Sequence, residues 1–256
     1  MKYEVLGSLR VIKDGNSLTV SAPKMEIVLG TLLIRANQVV SIEQLGTEIW
    51  GADPPQRATA ALYVYISQLR KLLTGEPGRF GPIVTRAPGY LLRTEQDEVD
   101  LQIFQRLVAD GRESMRAERY EEARSAFQQA LALWRGPALS ELREGPIING
   151  FAIWLEEIRL ECNELLVEAK LRLGRHRELI SVLHRLIGEH PLHEAFYWQL
   201  MLALYRSERR ADALDVYRKA RATLNRELGL EPGRRLRELQ QSILVSGDAL
   251  DIRPAV

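Results

Sequence analysis

The chain has 256 residues, of which 46% are apolar and 27% charged. This is a globular balance that excludes wholesale disorder, a collagen-like repeat and a disulfide scaffold. A formal net charge of +1 hides an asymmetry: residues 57–93 hold six basic residues against one acid, and the remainder holds 29 basic and 33 acidic residues. A basic block confined to one part of a near-neutral chain points to a polyanion surface there, with a solvated face as the plain alternative. The single cysteine, Cys162, lies in a helical pattern and reads as packing in a reducing compartment. No apolar run approaches the roughly 18 to 20 residues of a membrane span, and Met1-Lys2-Tyr3-Glu4 does not open a signal peptide, so a cytoplasmic chain is expected.

The first twenty residues alternate short apolar runs with Gly7-Ser8 and Asp14-Gly15-Asn16, the pattern of a small antiparallel sheet. Ser21-Ala22-Pro23 then reads as a helix start, with Met25, Val28, Leu29, Leu32, Leu33 and Ala36 at helical spacing and Asn37 as its stop. Ser41 to Gln44 has the spacing of a capping box and opens a short helix to Trp50, followed by a loop through Asp53-Pro54-Pro55.

A third helix is expected over about Gln56 to Leu73. At 100° per residue Leu62, Tyr65, Ile66, Leu69 and Leu73 share one face; Ala60, Tyr63, Val64, Ser67, Gln68 and Lys71 face away, with Arg70 at the margin. After Gly75-Glu76-Pro77-Gly78, two β runs from Ile83 to Leu92 surround a turn. Three helices closed by such a hairpin make a winged helix, whose third helix can enter a major groove while the hairpin reaches an adjacent minor groove.

The polar, acidic stretch 95–100 reads as a linker. Beyond it the pattern is helical up to a polar tail at 247–256. Glu118-Arg119-Tyr120 with Ala123 and Phe127, Gly174-Arg175-His176 with Leu179 and Leu183, and Glu208-Arg209-Arg210 with Ala213 and Tyr217 align at offsets of 56 and 34 residues. The second offset is the tetratricopeptide period. The expected architecture is an α+β winged-helix domain at 1–94 followed, at 101–246, by an all-α tetratricopeptide-like helical-repeat domain.

Several motifs in order carry a resemblance. Val5-Leu6-Gly7, Arg35-Ala36-Asn37-Gln38-Val39-Val40-Ser41, Ile49-Trp50-Gly51-Ala52-Asp53-Pro54-Pro55, Tyr65-Ile66-Ser67-Gln68-Leu69-Arg70-Lys71 and Thr85-Arg86-Ala87-Pro88-Gly89-Tyr90 resemble the Streptomyces antibiotic regulatory proteins. Ala132-Leu133-Trp134-Arg135-Gly136-Pro137, Glu189-His190-Pro191-Leu192 and Glu227-Leu228-Gly229-Leu230-Glu231-Pro232-Gly233 resemble that family's bacterial transcriptional activation domain. The resemblance runs from about Lys2 to Leu244.

It implies an OmpR-type winged helix in an actinobacterial, sequence-specific activator of a secondary-metabolite gene cluster. Such proteins bind double-stranded DNA at direct repeats near the promoter's −35 element as adjacent protomers. They contact RNA polymerase, including its σ subunit, which places the chain at the nucleoid. Larger relatives append an ATPase module; no Gly-x-x-x-x-Gly-Lys-Ser/Thr loop precedes Val256, so a short, ATP-independent form without a cofactor is expected. The DNA-binding set is Arg57, Thr59, Tyr63, Val64, Ser67, Gln68, Arg70 and Lys71 on the third helix, with Thr85, Arg86 and Tyr90 in the wing. Arg and Lys suit phosphates or guanine, Gln pairs with adenine, and Val64 suits a thymine methyl. Arg86 matches the position at which OmpR-type wings carry an arginine into the minor groove; Tyr90 is expected to pack the hairpin, its hydroxyl near a phosphate.

Other constellations carry less. His176, His184, His190 and His193 stand at intervals that fit no zinc pattern and lack a cysteine partner, so no metal is expected. Glu121-Glu122 and Glu156-Glu157 read as solvated helix faces, and no nucleophile, base and orienting acid belong together, so the chain is not expected to be an enzyme. The alternative to a DNA-binding activator is a helical-repeat scaffold whose winged helix serves protein contacts only.

Overall fold

The structure, a computed structural model, describes residues 1–20, 22–74 and 81–245. The expected helix start at Ser21, the Gly75 to Gly78 loop, Arg79 of the basic block and the tail 247–256 lie outside them.

Asp14 and Gly15 both have positive φ, 51° and 81°, and turn the chain between Lys13 and Asn16. Two left-handed central residues make the hairpin turn whose twist matches that of the strands, and Asp-Gly tolerates it. The turn joins β2 (Arg10–Lys13) to β3 (Asn16–Leu18), and β1 (Lys2–Glu4) pairs antiparallel with β2. Helix α1 (Pro23–Ile34) starts with its proline in the first turn and buries Met25, Val28, Leu29, Leu32 and Leu33. Ala36 falls just beyond it. Asn37, at φ 62°, ends the turn, and its amide exchanges two hydrogen bonds with Thr94.

Strand β4 (Val40–Ser41) leads into α2 (Ile42–Trp50), where the capping box forms: Gln44 N donates to Ser41 Oγ at 3.0 Å and Ser41 N to Gln44 Oε1 at 2.9 Å. Helix α3 (Ala58–Thr74) begins two residues later than its periodicity suggests, after Ala58 N closes a turn onto Pro55 O. Leu62, Ile66, Leu69 and Leu73 are buried as expected, and Tyr65, half-buried, stacks on Trp50 at 6.5 Å. Strands β5 (Ile83–Arg86) and β6 (Gly89–Leu92) form the hairpin, in a three-stranded sheet ordered β4-β6-β5. Gly89 is required there: a Cβ on it would lie 1.9 Å from Val40 O.

Residues 95–100, expected as a linker, are built into the fold. Strand β7 (Glu98–Val99) pairs parallel with β1 and completes a sheet ordered β3-β2-β1-β7. Asp100, 4% exposed, accepts hydrogen bonds from Val5 N at 2.9 Å and Leu6 N at 3.0 Å. A carboxylate that satisfies two buried amides is a fixed part of a core. Composition gave no hint of this, because an acidic residue in a polar run looks the same whether it is solvated or bonded.

The remaining helices are α4 (Asp100–Arg116), α5 (Tyr120–Ala132), α6 (Pro146–Arg172), α7 (His176–Glu189), α8 (Glu194–Arg206), α9 (Arg210–Leu228) and α10 (Arg234–Val245), with a 3-10 turn at Ser140–Leu142. The chain divides into two compact units, residues 1–108 with 129–160, and 109–128 with 161–256; the divisions fall within α4, α5 and α6. The first unit therefore reaches well past the expected boundary at 94. Its later segment joins the N-terminal strands through Arg135 N to Leu6 O and Leu139 N to Gly7 O, each 2.8 Å, and through the Arg135 guanidinium, which pairs with Glu4 at 3.3 Å. Trp134 meets Phe104 edge-on at 5.5 Å and lies under the Arg159 guanidinium at 4.4 Å.

In the second unit the repeat is visible in the backbone. Glu118, Gly174 and Glu208 have φ of 57°, 75° and 64°, and the next residue's N–H bonds back to a carbonyl five residues earlier, Arg119 to Ser114, Arg175 to Lys170 and Arg209 to Leu204. This is the same helix-ending turn three times. The packing positions that follow each turn, Ala123 and Phe127, Leu179 and Leu183, Ala213 and Tyr217, are all buried. Helix α8 packs against α7, α9 and α10. Cys162 is fully buried against Phe127 O. Among the described residues no helix is long and apolar enough to cross a membrane, and no group of three or more His, Cys, Asp or Glu is placed to hold a metal ion.

Candidate nucleic-acid interface

Helix α3 offers the expected outward face. Arg57 just before it and Thr59, Ala60, Tyr63, Val64, Ser67, Gln68 and Lys71 along it are exposed, Tyr63 at 50% and Val64 at 51%. Large apolar groups left half in water on a helix whose opposite face is packed tight mark a surface that meets something. Neither residues 57–74 nor 81–93 contain an acid, so every charged side chain of these two segments is basic. Lys13 Nζ donates to Thr74 O at 3.1 Å and closes the C-terminal end of the helix.

The wing stands beside this face. Thr85 and Arg86 at the end of β5 are exposed, as is Arg93 at the hairpin's base, a residue counted in the basic block but not placed in the site. Within the hairpin Thr85 pairs with Tyr90 and Arg86 with Gly89. Ile42 N donates to Pro88 O at 3.2 Å, tying the turn to the first residue of α2.

Two residues of the expected set are committed elsewhere. Arg70 Nε donates to Ile83 O at 3.0 Å, its Nη2 donates to Thr85 Oγ1 at 2.8 Å, and the guanidinium lies 5.7 Å from the Tyr90 ring centroid. The rigid fork of donors thus spans from α3 to β5 and fixes the wing against the helix. Tyr90 is 6% exposed and packs as expected. Burial, then the neighbouring Tyr63, raises its phenol above the ordinary value against the opposing pull of Arg70. Among the described residues nothing engages the side chains of Arg57, Thr59, Tyr63, Val64, Ser67, Gln68, Lys71 and Arg86 by a hydrogen bond or ion pair, and Thr85 shares its hydroxyl with Arg70.

Comparison with known proteins bears on this arrangement. Residues 15–92 match the family model for the C-terminal domain of transcriptional regulatory proteins, and residues 99–244 match the bacterial transcriptional activator domain. The chain is 38% identical to the regulatory protein DnrI of Streptomyces peucetius, over 98% of this chain and 94% of that protein. It is 35% identical to the transcriptional regulator RedD of Streptomyces coelicolor, over 100% of this chain and 74% of that one. It covers only 26% of the regulatory protein AfsR of Streptomyces griseus, at 36% identity. Among solved structures, Mycobacterium tuberculosis EmbR in complex with a low-affinity phosphopeptide aligns at a TM-score of 0.91 and 35% identity, over 96% of this chain and 65% of that one. The chain belongs to the Streptomyces antibiotic regulatory proteins, transcriptional regulators in which an OmpR-type winged helix precedes a bacterial transcriptional activator domain.

Proposed function

We propose that the chain is a sequence-specific activator of a secondary-metabolite gene cluster, in which α3 reads a major groove and Arg86 enters the adjacent minor groove. The observation that carries this reading is the acid-free, half-apolar face of α3 standing beside a wing that Arg70 holds in place. We assign Tyr63, Val64, Ser67 and Gln68 to base edges, and Arg57, Lys71 and Arg93 to phosphates. Two protomers occupy direct repeats near the −35 element on one face of the duplex, and the activator domain supplies the contact to RNA polymerase and its σ subunit.

A gel shift on the promoter region beside the chain's own gene, repeated across salt, tests the reading. Specific binding should weaken as salt rises; each phosphate neutralised adds about −0.9 to the slope of log K against log salt, so Arg57, Lys71 and Arg93 give about −3 for each protomer bound. Because copies reading equivalent edges stand about 10 to 11 base pairs apart, a five-base-pair insertion between the repeats should abolish cooperative binding. Absence of any DNA binding would favour the scaffold alternative.

A further inference from the structure

Within the first unit a cavity of about 610 Å³ opens between the end of α1, the start of α4 and the first turns of α6. Its volume lies in the range of small-molecule sites. The lining is mixed: Leu33, Ile34, Leu101 and Ile147 supply aliphatic surface, and Phe151 and Trp154 form an aromatic pair with ring centroids 5.6 Å apart and Trp154 44% exposed. The polar lining consists of Arg35 and the amides of Gln38, Gln102 and Gln105, with no Asp or Glu. Among the described residues nothing pairs with the side chains of Arg35, Gln38 or Gln105, whereas Gln102 donates to Thr94 Oγ1 at 3.4 Å. Glu48, whose carboxylate meets the first turn of α6, is buried, and both its oxygens are taken by backbone amides of α6.

The geometry points to a binding site for an organic anion with a flat aromatic body. The aromatic pair supplies a stacking face, the free guanidinium one positive charge with no carboxylate to compensate it, and the unengaged amides donors for further acceptors on the ligand. A carboxylate, sulfonate or phenolate attached to a ring system has this combination; a neutral hydrocarbon leaves Arg35 unpaired, and a cation is repelled by it. Since the walls come from helices on either side of the first unit's discontinuous chain, a bound ligand stabilises that unit by mass action.

Gly150 gives a clean test. It lines the cavity, and a Cβ built on it meets no atom within 4 Å, so a larger side chain can start there without a clash and Gly150→Leu narrows the opening. The probe is 8-anilinonaphthalene-1-sulfonate, titrated against the full chain by its own fluorescence and by quenching of tryptophan emission. The expected result is saturable one-to-one binding with a raised thermal midpoint. Arg35→Ala should weaken it at least tenfold, Arg35→Lys should recover part of that loss, and Gly150→Leu should weaken binding while the ligand-free chain melts cooperatively at an equal or higher midpoint, since a glycine inside α6 is replaced by a better helix former. N-phenyl-1-naphthylamine, the same ring system without the sulfonate, should bind at least tenfold more weakly. Equal affinity for the neutral probe, indifference to Arg35, or undiminished binding to Gly150→Leu overturns the proposal. Failure of the sulfonate to bind, together with a change in sedimentation on Gly150→Leu, overturns it in favour of a second copy as the occupant.

Discussion

Glu48, near the end of α2, caps a helix that begins almost a hundred residues later: its Oε1 accepts from Ile148 N and its Oε2 from Ile147 N, each at 2.8 Å. The carboxylate is 1% exposed, and Gly145 makes room for it, since a Cβ there would lie 2.2 Å from its carboxyl carbon. A negative charge on free N–H groups at the positive end of a helix is a favourable arrangement, and the low-dielectric surroundings strengthen it. It fastens the second helix of the winged helix to α6 within one unit.

Glu48→Gln keeps the volume of the side chain but turns one acceptor into a donor facing an amide. The variant should lose about 1 to 3 kcal/mol of stability, the range for leaving a buried donor unsatisfied. Urea unfolding of the full chain should show the midpoint falling with no change in slope. An unchanged midpoint would mean that water replaces the carboxylate freely.

The division of roles on α3 yields a second expectation. Lys71 is exposed and held by no described residue, so Lys71→Ala should weaken DNA binding about equally on all sequences and reduce the salt slope by about one. Arg70→Ala acts differently, because it releases Ile83 O and Thr85 Oγ1 and frees the wing. It should blur the minor-groove footprint, as Arg86→Ala should, and Arg70→Lys should not rescue it, since one ammonium cannot reproduce the fork. Hydroxyl-radical footprinting separates the cases; an intact wing footprint in Arg70→Ala would return Arg70 to the DNA-contacting set.

What could be read from the sequence and what could not follow a physical division. The Asp14-Gly15 turn, the Ser41 and Gln44 capping box, the buried stripe of α3 and the three helix-ending turns at Glu118, Gly174 and Glu208 are local patterns, legible because neighbouring residues satisfy one another. Strand β7 is two residues long and has no period to detect. The bonds of Glu48 to α6 and of Asp100 to Val5 and Leu6 join positions about a hundred residues apart, and an acid in either setting reads as a solvated one. For the site, helical spacing put Arg70 at the margin of the face, but only the position of β5 shows which neighbour takes its donors.

Asp100 should leave a trace in the pH dependence of stability. Burial, opposed by the Val5 and Leu6 amides and by Arg135, raises its carboxyl above the ordinary value of 3.8. The folded state then holds this proton more tightly than the unfolded chain, so the group's contribution to stability falls as pH rises from about 4 through the folded value, and is level above it. Asp100→Asn removes that slope. Urea midpoints of the two chains compared between pH 3.5 and 6 should show the parent chain falling relative to Asp100→Asn as pH rises; a constant difference would contradict it.

Cys162 should be inert in the native chain. It is fully buried, and burial, then Glu161, pushes its thiol up to about 12, so that at neutral pH it is a protonated thiol without access. Labelling with a thiol-reactive disulfide should be negligible under native conditions and stoichiometric in denaturant. Rapid native labelling would show that α6 opens around Phe127.

The last expectation concerns how much chain the winged helix needs. Reading 95–100 as a linker makes residues 1–94 a self-sufficient DNA-binding piece, yet a cut there removes β7, the Asp100 acceptor of Val5 and Leu6, the Arg135 partner of Glu4 and the α6 amides that hold Glu48. Two buried amides lose their acceptor, and a buried carboxylate loses both donors. Each group that stays buried costs about 1 to 3 kcal/mol, and each that water now reaches loses the net worth of its hydrogen bonds, about 0.5 to 3 kcal/mol; together these are a sizeable part of the 5 to 15 kcal/mol that holds a typical domain together. The fragment 1–94 should therefore melt at a much lower temperature than the full chain and bind DNA weakly, even though every exposed residue of α3 and the wing is present. Raising the fragment's concentration in the cold should recover sequence preference in a gel shift, because the reading surface is intact whenever the fold is. Thermal melting by circular dichroism, run beside that gel shift, checks both halves. A fragment that melts as cooperatively and as high as the full chain would show that these long-range bonds position the activator half and contribute little to the winged helix itself.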